Sequence, residues 1–224
     1  MKLYLKSLAV IVLLASSLSA ELVKTYFKTG ELKAQTNYID GTNTPIKKGI
    51  KNGLEKVYYR MGQLAYKVNY VNNKREGLLV WYNKQGKVIA RRNYKNGKID
   101  GVETTYFANG KIKHSVKYVN DKKEGLQKEY FDNGQLALVV QYKNGKKEGL
   151  QKEYTYEGKL YSEVMYKNNY KEGLQKWYGN SGKVIRTELF KHDIPVNVMK
   201  KIENKKTKSN ILIHDLDFSP KKPQ

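Results

Sequence analysis

The sequence predicts an all-β protein: an elongated, twisted, antiparallel single sheet built from repeated β-hairpins. Glycine recurs every 24 residues at Gly53, Gly77, Gly101, Gly125, Gly149 and Gly173. A second series, Gly62, Gly86, Gly110, Gly134, Gly158 and Gly182, follows nine residues later with the same spacing. Between the glycines lie runs of period-two apolar alternation, rich in tyrosine and valine, which is the pattern of strands rather than helices. A phrase that recurs at fixed spacing describes a stacked building block, whereas an active site is assembled once from scattered residues.

Residues 1–20, "MKLYLKSLAVIVLLASSLSA", have the layout of a secretory signal peptide: Lys2 and Lys6, an apolar stretch from Leu8 to Ala15, and a small-residue end at Ser19 or Ala20. The apolar stretch is far shorter than the ~20 residues that a spanning helix needs. Export is therefore expected, with the periplasm as destination and secretion or outer-membrane association as alternatives. The chain has no cysteine, which excludes a lipoprotein anchor and any disulfide framework. Lys and Arg number 43 against 21 for Asp and Glu, a formal charge of +22, and +20 without Lys2 and Lys6. Such an excess suits anionic partners and equally suits a solvated surface.

A repeat array is expected over 21–191. Tyr26, Gly30, Leu32 and Tyr38 form a partial first copy. Residues 40–52, which contain Pro45, read as a loop insertion. Six full copies follow, each with tyrosine five residues after the first glycine (Tyr58, Tyr82, Tyr106, Tyr130, Tyr154, Tyr178). An aromatic returns at the seventeenth position (Tyr70, Tyr94, Tyr118, Tyr142, Tyr166, Phe190).

Within a copy, "FDNG" predicts a three-residue hairpin loop, Asp132-Asn133-Gly134, whose last residue is left-handed and therefore glycine. That loop pairs Tyr130 with Leu136, Lys128 with Leu138 and Leu126 with Val140, which puts Leu, Val and both tyrosine series on one face. Glu55, Glu103, Gln127, Glu129, Gln151, Glu153 and Gln175 then belong to a polar, solvated face. The second turn, Asn144-Gly145, is another hairpin signal. Its parity needs a bulge near Lys147, accommodated by the first-series glycine. The segment 192–224 departs from the repeat and reads as a basic cap and tail, with "ILIHDLDF" as a terminal strand.

"NGKKEGLQKEYFDNGQLALVVQYKNG" and its siblings resemble MORN repeats, and most closely the bacterial variant built on G-x-x-x-x-Y-Y-x-N-G-x-L-x-x-x-x-x-Y, over roughly residues 26 to 190. Trp81 and Trp177 depart from the pattern before the tyrosine, and Phe190 replaces the last tyrosine. The resemblance implies a non-enzymatic sheet of stacked hairpins that serves protein–protein or membrane-lipid contacts. Some bacterial members are labelled antitoxins.

No nucleophile, phosphate-loop or zinc-spaced motif is present. His114, His192 and His214 fall at unrelated positions, and His214 with Asp215 and Asp217 reads as a solvated face rather than a metal site. No catalytic residue, metal or cofactor is expected. The candidate binding residues are the ladder Tyr58, Tyr70, Tyr82, Tyr94, Tyr106, Tyr118, Tyr130, Tyr142, Tyr154, Tyr166 and Tyr178. Lys56, Lys128, Lys152 and Lys176 beside it are candidate anion contacts. Lys74/Arg75, Lys98, Lys122/Lys123, Lys146/Lys147 and Lys171 form a basic rim, each followed by an acid such as Glu76, Glu124 or Glu148. Three functions stay open: a β-surface for a protein partner, a binder of anionic membrane or envelope polymer, and an antitoxin or immunity protein. Nucleic acid is a poor match for an exported chain.

Overall fold

A computed structural model describes residues 20–39 and 49–197. Most of the leader, the segment 40–48, "ILIHDLDF" and the rest of the tail beyond residue 197 lie outside the described residues. Among the described residues the chain forms sixteen strands in one antiparallel sheet, and apart from β9 each strand bonds to its neighbours in chain order. They are β1 (Ala20–Tyr26), β2 (Leu32–Ile39), β3 (Ile50–Tyr58), β4 (Leu64–Val71), β5 (Lys74–Tyr82), β6 (Val88–Lys95), β7 (Lys98–Tyr106) and β8 (Ile112–Val119). Then come β9 (Lys122–Lys123), β10 (Gly125–Tyr130), β11 (Leu136–Lys143), β12 (Lys146–Tyr154), β13 (Leu160–Lys167), β14 (Tyr170–Tyr178), β15 (Val184–Lys191) and β16 (Ile194–Pro195). β9 and β10 are two arms of one strand, interrupted at Glu124, and both pair with β8. Residues 50–52, expected as loop, already belong to β3. β16 is a two-residue rung on β15, and its Pro195 has no N–H to offer a further strand.

The first hairpin loop is as expected. Gly134 N–H donates to Phe131 O (2.9 Å) and Phe131 N–H to Gln135 O (2.8 Å), Tyr130 pairs with Leu136, and Gly134 has φ +94°. The second turn is a two-residue type I′ turn between Lys143 and Lys146, with Asn144 at φ 52° and Gly145 at 83°. Both central residues of that turn require positive φ, which is why Asn and Gly occupy it.

The register beyond the first rung differs from the expected one. Ala137 is bulged, so Glu129 pairs with Leu138, Lys128 with Val139, Gln127 with Val140 and Leu126 with Gln141. One inserted residue moves every later side chain to the opposite face. The tyrosines therefore do not share a face, and the residues expected on a polar surface pack against the valines.

We call the two sides the crowded and the open face. On the crowded face Val68, Val116, Val140 and Val164 are at most 2% exposed, and Glu55, Glu103, Gln127, Gln151 and Gln175 are buried beside them. The described sheet has no second layer, so these short side chains are covered by longer neighbours leaning across them. On the open face the aliphatics after the first-series glycine stay exposed, Leu126 at 49% among them.

Candidate functional site

The crowded face carries a ladder in which aromatics and cations alternate across successive strands. Tyr38 pairs with Lys51, Tyr70 with Arg75, Tyr118 with Lys123, Tyr142 with Lys147 and Tyr166 with Lys171. Each cation also lies over the aromatic of its own copy. Lys147 Nζ is 4.6 Å from the Tyr166 ring, Lys123 Nζ 4.9 Å from Tyr142 and Lys171 Nζ 5.0 Å from Phe190. The first-series glycine explains how. Gly149 sits directly opposite Tyr166 within the bulge that Glu148, Gly149 and Leu150 make against Gln141. With no side chain there, Lys147 reaches across to the ring and donates to Gln151 Oε1 (3.0 Å). Gln151 Nε2 in turn donates to Glu153 Oε1 (2.9 Å). The same Lys–Gln–Glu chain runs from Lys123 through Gln127 to Glu129. Ile99 breaks the ladder by replacing the cation opposite Tyr94.

Arg75, Lys123, Lys147 and Lys171 are thus inward-facing, which corrects the reading of them as rim residues. Burial lowers the pKa of Lys147, and the pKa values of Tyr118, Tyr142 and Tyr166 are raised, chiefly by burial. Tyr142 and Tyr166 are at most 9% exposed, so this half of the tyrosine set offers little free surface. Its chemistry is structural: cation–π contacts of this kind contribute roughly 0.5–2 kcal/mol each.

The other half of the candidate set meets on the open face. Tyr58, Tyr82, Tyr106, Tyr130, Tyr154 and Tyr178 lie there, with Lys56, Lys128, Lys152 and Lys176 two residues before four of them. Tyr58 Oη donates to Gln35 (3.0 Å). Tyr178 Oη (2.7 Å) and Lys176 Nζ (3.3 Å) both donate to Glu163 Oε1. These bonds place tyrosine and lysine on one face, as Gln35 pairs with Lys56 and Glu163 with Lys176. The hydrogen bond from Tyr178, then that from Lys176, holds the Glu163 carboxyl below its ordinary range.

The acids of the basic rim have a role that their charge alone does not suggest. Glu76, Asp100, Glu124, Glu148 and Glu172 accept the first N–H of the next type I′ turn, from Asn96, Asn120, Asn144, Asn168 and His192. The fixed interval of 20 residues between acceptor and donor was the available signal. His114 is half-buried opposite Thr105 and Glu129. Among the described residues, no three His, Asp or Glu side chains are grouped to hold a metal ion.

The profile of the MORN repeat variant family matches seven segments, residues 22–40, 51–72, 75–96, 99–120, 123–144, 147–168 and 171–192. The chain belongs to that family. The seven matches coincide with the seven hairpin units, the partial first copy included. No curated protein is similar enough to match this MORN-variant chain. Among solved structures, one similar protein is described as "Crystal structure of GtfA/B complex bound to UDP and GlcNAc". It shares 13% identity over 59% of this chain and 27% of its own, with a TM-score of 0.24.

Proposed function

We propose that this MORN-variant protein is an exported, non-enzymatic binding module that presents its open face to a protein partner. The supporting observation is a row of half-exposed aliphatics on one side of a single-layer sheet. Leu78, Val102, Leu126, Leu150 and Leu174 are each 39–49% exposed and recur every 24 residues, with a tyrosine four residues after each and Lys128, Lys152 and Lys176 two residues after the last three. Apolar surface rimmed by polar groups marks interaction sites, and tyrosine suits them because its ring is apolar and its hydroxyl is not.

The excess of positive charge favours a second reading, attachment to an anionic membrane or envelope polymer. Two experiments separate them. The immobilised protein is incubated with a cell-envelope extract, and the purified protein is co-sedimented with anionic and neutral vesicles at low and high salt. A stoichiometric protein retained by the wild type and lost with Leu126→Asp/Leu150→Asp is the expected result. Binding to anionic vesicles alone, abolished at high salt, with no protein retained, overturns it in favour of the membrane reading.

A further inference from the structure

We infer that the open face of the last two copies is covered by this chain's own residues 211–218, "ILIHDLDF", folded back from the C-terminal end of the sheet. The inference goes beyond the protein-binding reading and does not depend on it.

Each aliphatic of the open-face row has one partner directly across its hairpin. In the first five units that partner is polar: Leu22 pairs with Asn37, Leu54 with Asn69, Leu78 with Asn93, Val102 with Lys117 and Leu126 with Gln141. In the last two it is apolar, for Leu150 pairs with Met165 and Leu174 with Leu189. The single row of aliphatics thus widens to a patch across β12–β15, and these four residues are 39%, 47%, 45% and 48% exposed. Adjoining apolar side chains left to water on a single-layer sheet favour a cover.

The patch lies where the chain leaves the sheet. Met165, Leu189 and Val196 line one depression of about 640 Å³, and Val196 is the penultimate described residue. Charge at its rim is mixed, Glu148 and Glu172 with Lys167 and Lys191, so the depression selects apolar surface rather than a charge. Beyond Asn197 the sequence passes through 198–210, rich in lysine at Lys200, Lys201, Lys205, Lys206 and Lys208. It then reaches Ile211, Leu212, Ile213, Leu216 and Phe218, the densest apolar run after Asn197. In an extended chain Leu212, Leu216 and Phe218 share one side, and Asp215 and Asp217 take the other.

Reach is ample. Residues 198–210 span up to roughly 43 Å, whereas the return from β15 to β12 is three strand spacings, ~14 Å. Tethering makes the contact intramolecular, so a modest apolar match suffices. A separate protein has no such advantage at these two copies, and the exposed part of the row left to it is Leu78, Val102 and Leu126.

The test uses the full chain with a benzophenone side chain at residue 150, three strands in from the edge at β15. Irradiation in dilute solution should link residue 150 to 211–218 of the same chain. Peroxide oxidation read by mass spectrometry is the second measurement. Met165 should oxidise about tenfold more slowly than Met61, which is 79% exposed. Leu212→Ser/Leu216→Ser/Phe218→Ser should abolish the link and bring the two rates within about twofold, with the circular dichroism of the array unchanged. No link, links to 198–210, links only between two chains, or a Met165 rate indifferent to the triple substitution would each overturn the inference. Retention of a protein from the envelope extract is scored separately, so failure of either reading leaves the other standing.

Discussion

Tyr66 pairs with Val57 and Trp81 on the crowded face, and its hydroxyl lies 3.3 Å from Glu55 Oε2. Burial first, and then the Glu55 charge, push its pKa up to about 12. An unfolded tyrosine ionises near 10, so between about 10 and 12 the folded chain binds more protons than the unfolded one. The stabilisation is complete below pH 10 and is lost as pH rises through that window. Tyr118, Tyr142 and Tyr166 act in the same direction. Lys147 acts oppositely, because its lowered pKa adds stability as pH rises toward its unfolded value. Urea midpoints measured from pH 9 to 12 should fall across the tyrosine window, and Tyr66→Phe should flatten the fall. A profile identical in the variant would remove Tyr66 from the account.

The two turns of the hairpin unit divide their labour. Glycine and asparagine supply the backbone shapes, and the acid before the first-series glycine joins one unit to the next. Glu148 accepts the Asn168 N–H at 2.8 Å, and Asn169 N–H returns to Lys147 O at 3.0 Å. Glu148→Ala leaves a turn donor to water rather than to protein, so the loss should resemble that of a helix N-cap, about 1 kcal/mol. Chemical denaturation should show a lower midpoint with an unchanged slope; an unmoved midpoint would mean that the turn is indifferent to its cap. Both turn types were legible, because each demands positive φ at stated positions. The bulge at Ala137 was not. Its counterparts, Ala65, Ile89, Lys113, Tyr161 and Ile185, share no chemistry, since a bulge is set by how two strands hydrogen-bond rather than by the side chain it carries.

At the scale of the molecule, each described hairpin hydrogen-bonds to its neighbours in chain order, so stability should be close to a sum of units and interfaces. Removing residues 125–148 joins Glu124 to Gly149 and recreates the same junction, "KKEGLQKEY". The shortened chain should fold, with the same far-ultraviolet dichroism per residue and a denaturant slope reduced in proportion to the lost surface. Failure to fold would show that the array depends on contacts beyond nearest neighbours. The ends limit growth differently: Pro195 blunts β16, while β1 keeps an unpaired edge among the described residues.

The sequence alone determined the fold class, the 24-residue unit, the number of copies, both hairpin turns and the family, because spacing and positive-φ residues are written locally in every copy. The tertiary structure decided which face each residue occupies. A single bulged residue per unit exchanges the faces, sending Glu55, Glu103, Gln127, Gln151 and Gln175 inward, Leu126, Leu150 and Leu174 outward, and about half of the tyrosines to each side. It also turned Lys123, Lys147 and Lys171 from a basic rim into partners of buried rings. Those assignments depend on pairing between strands, and period-two alternation within one strand reads the same whichever face is turned to solvent.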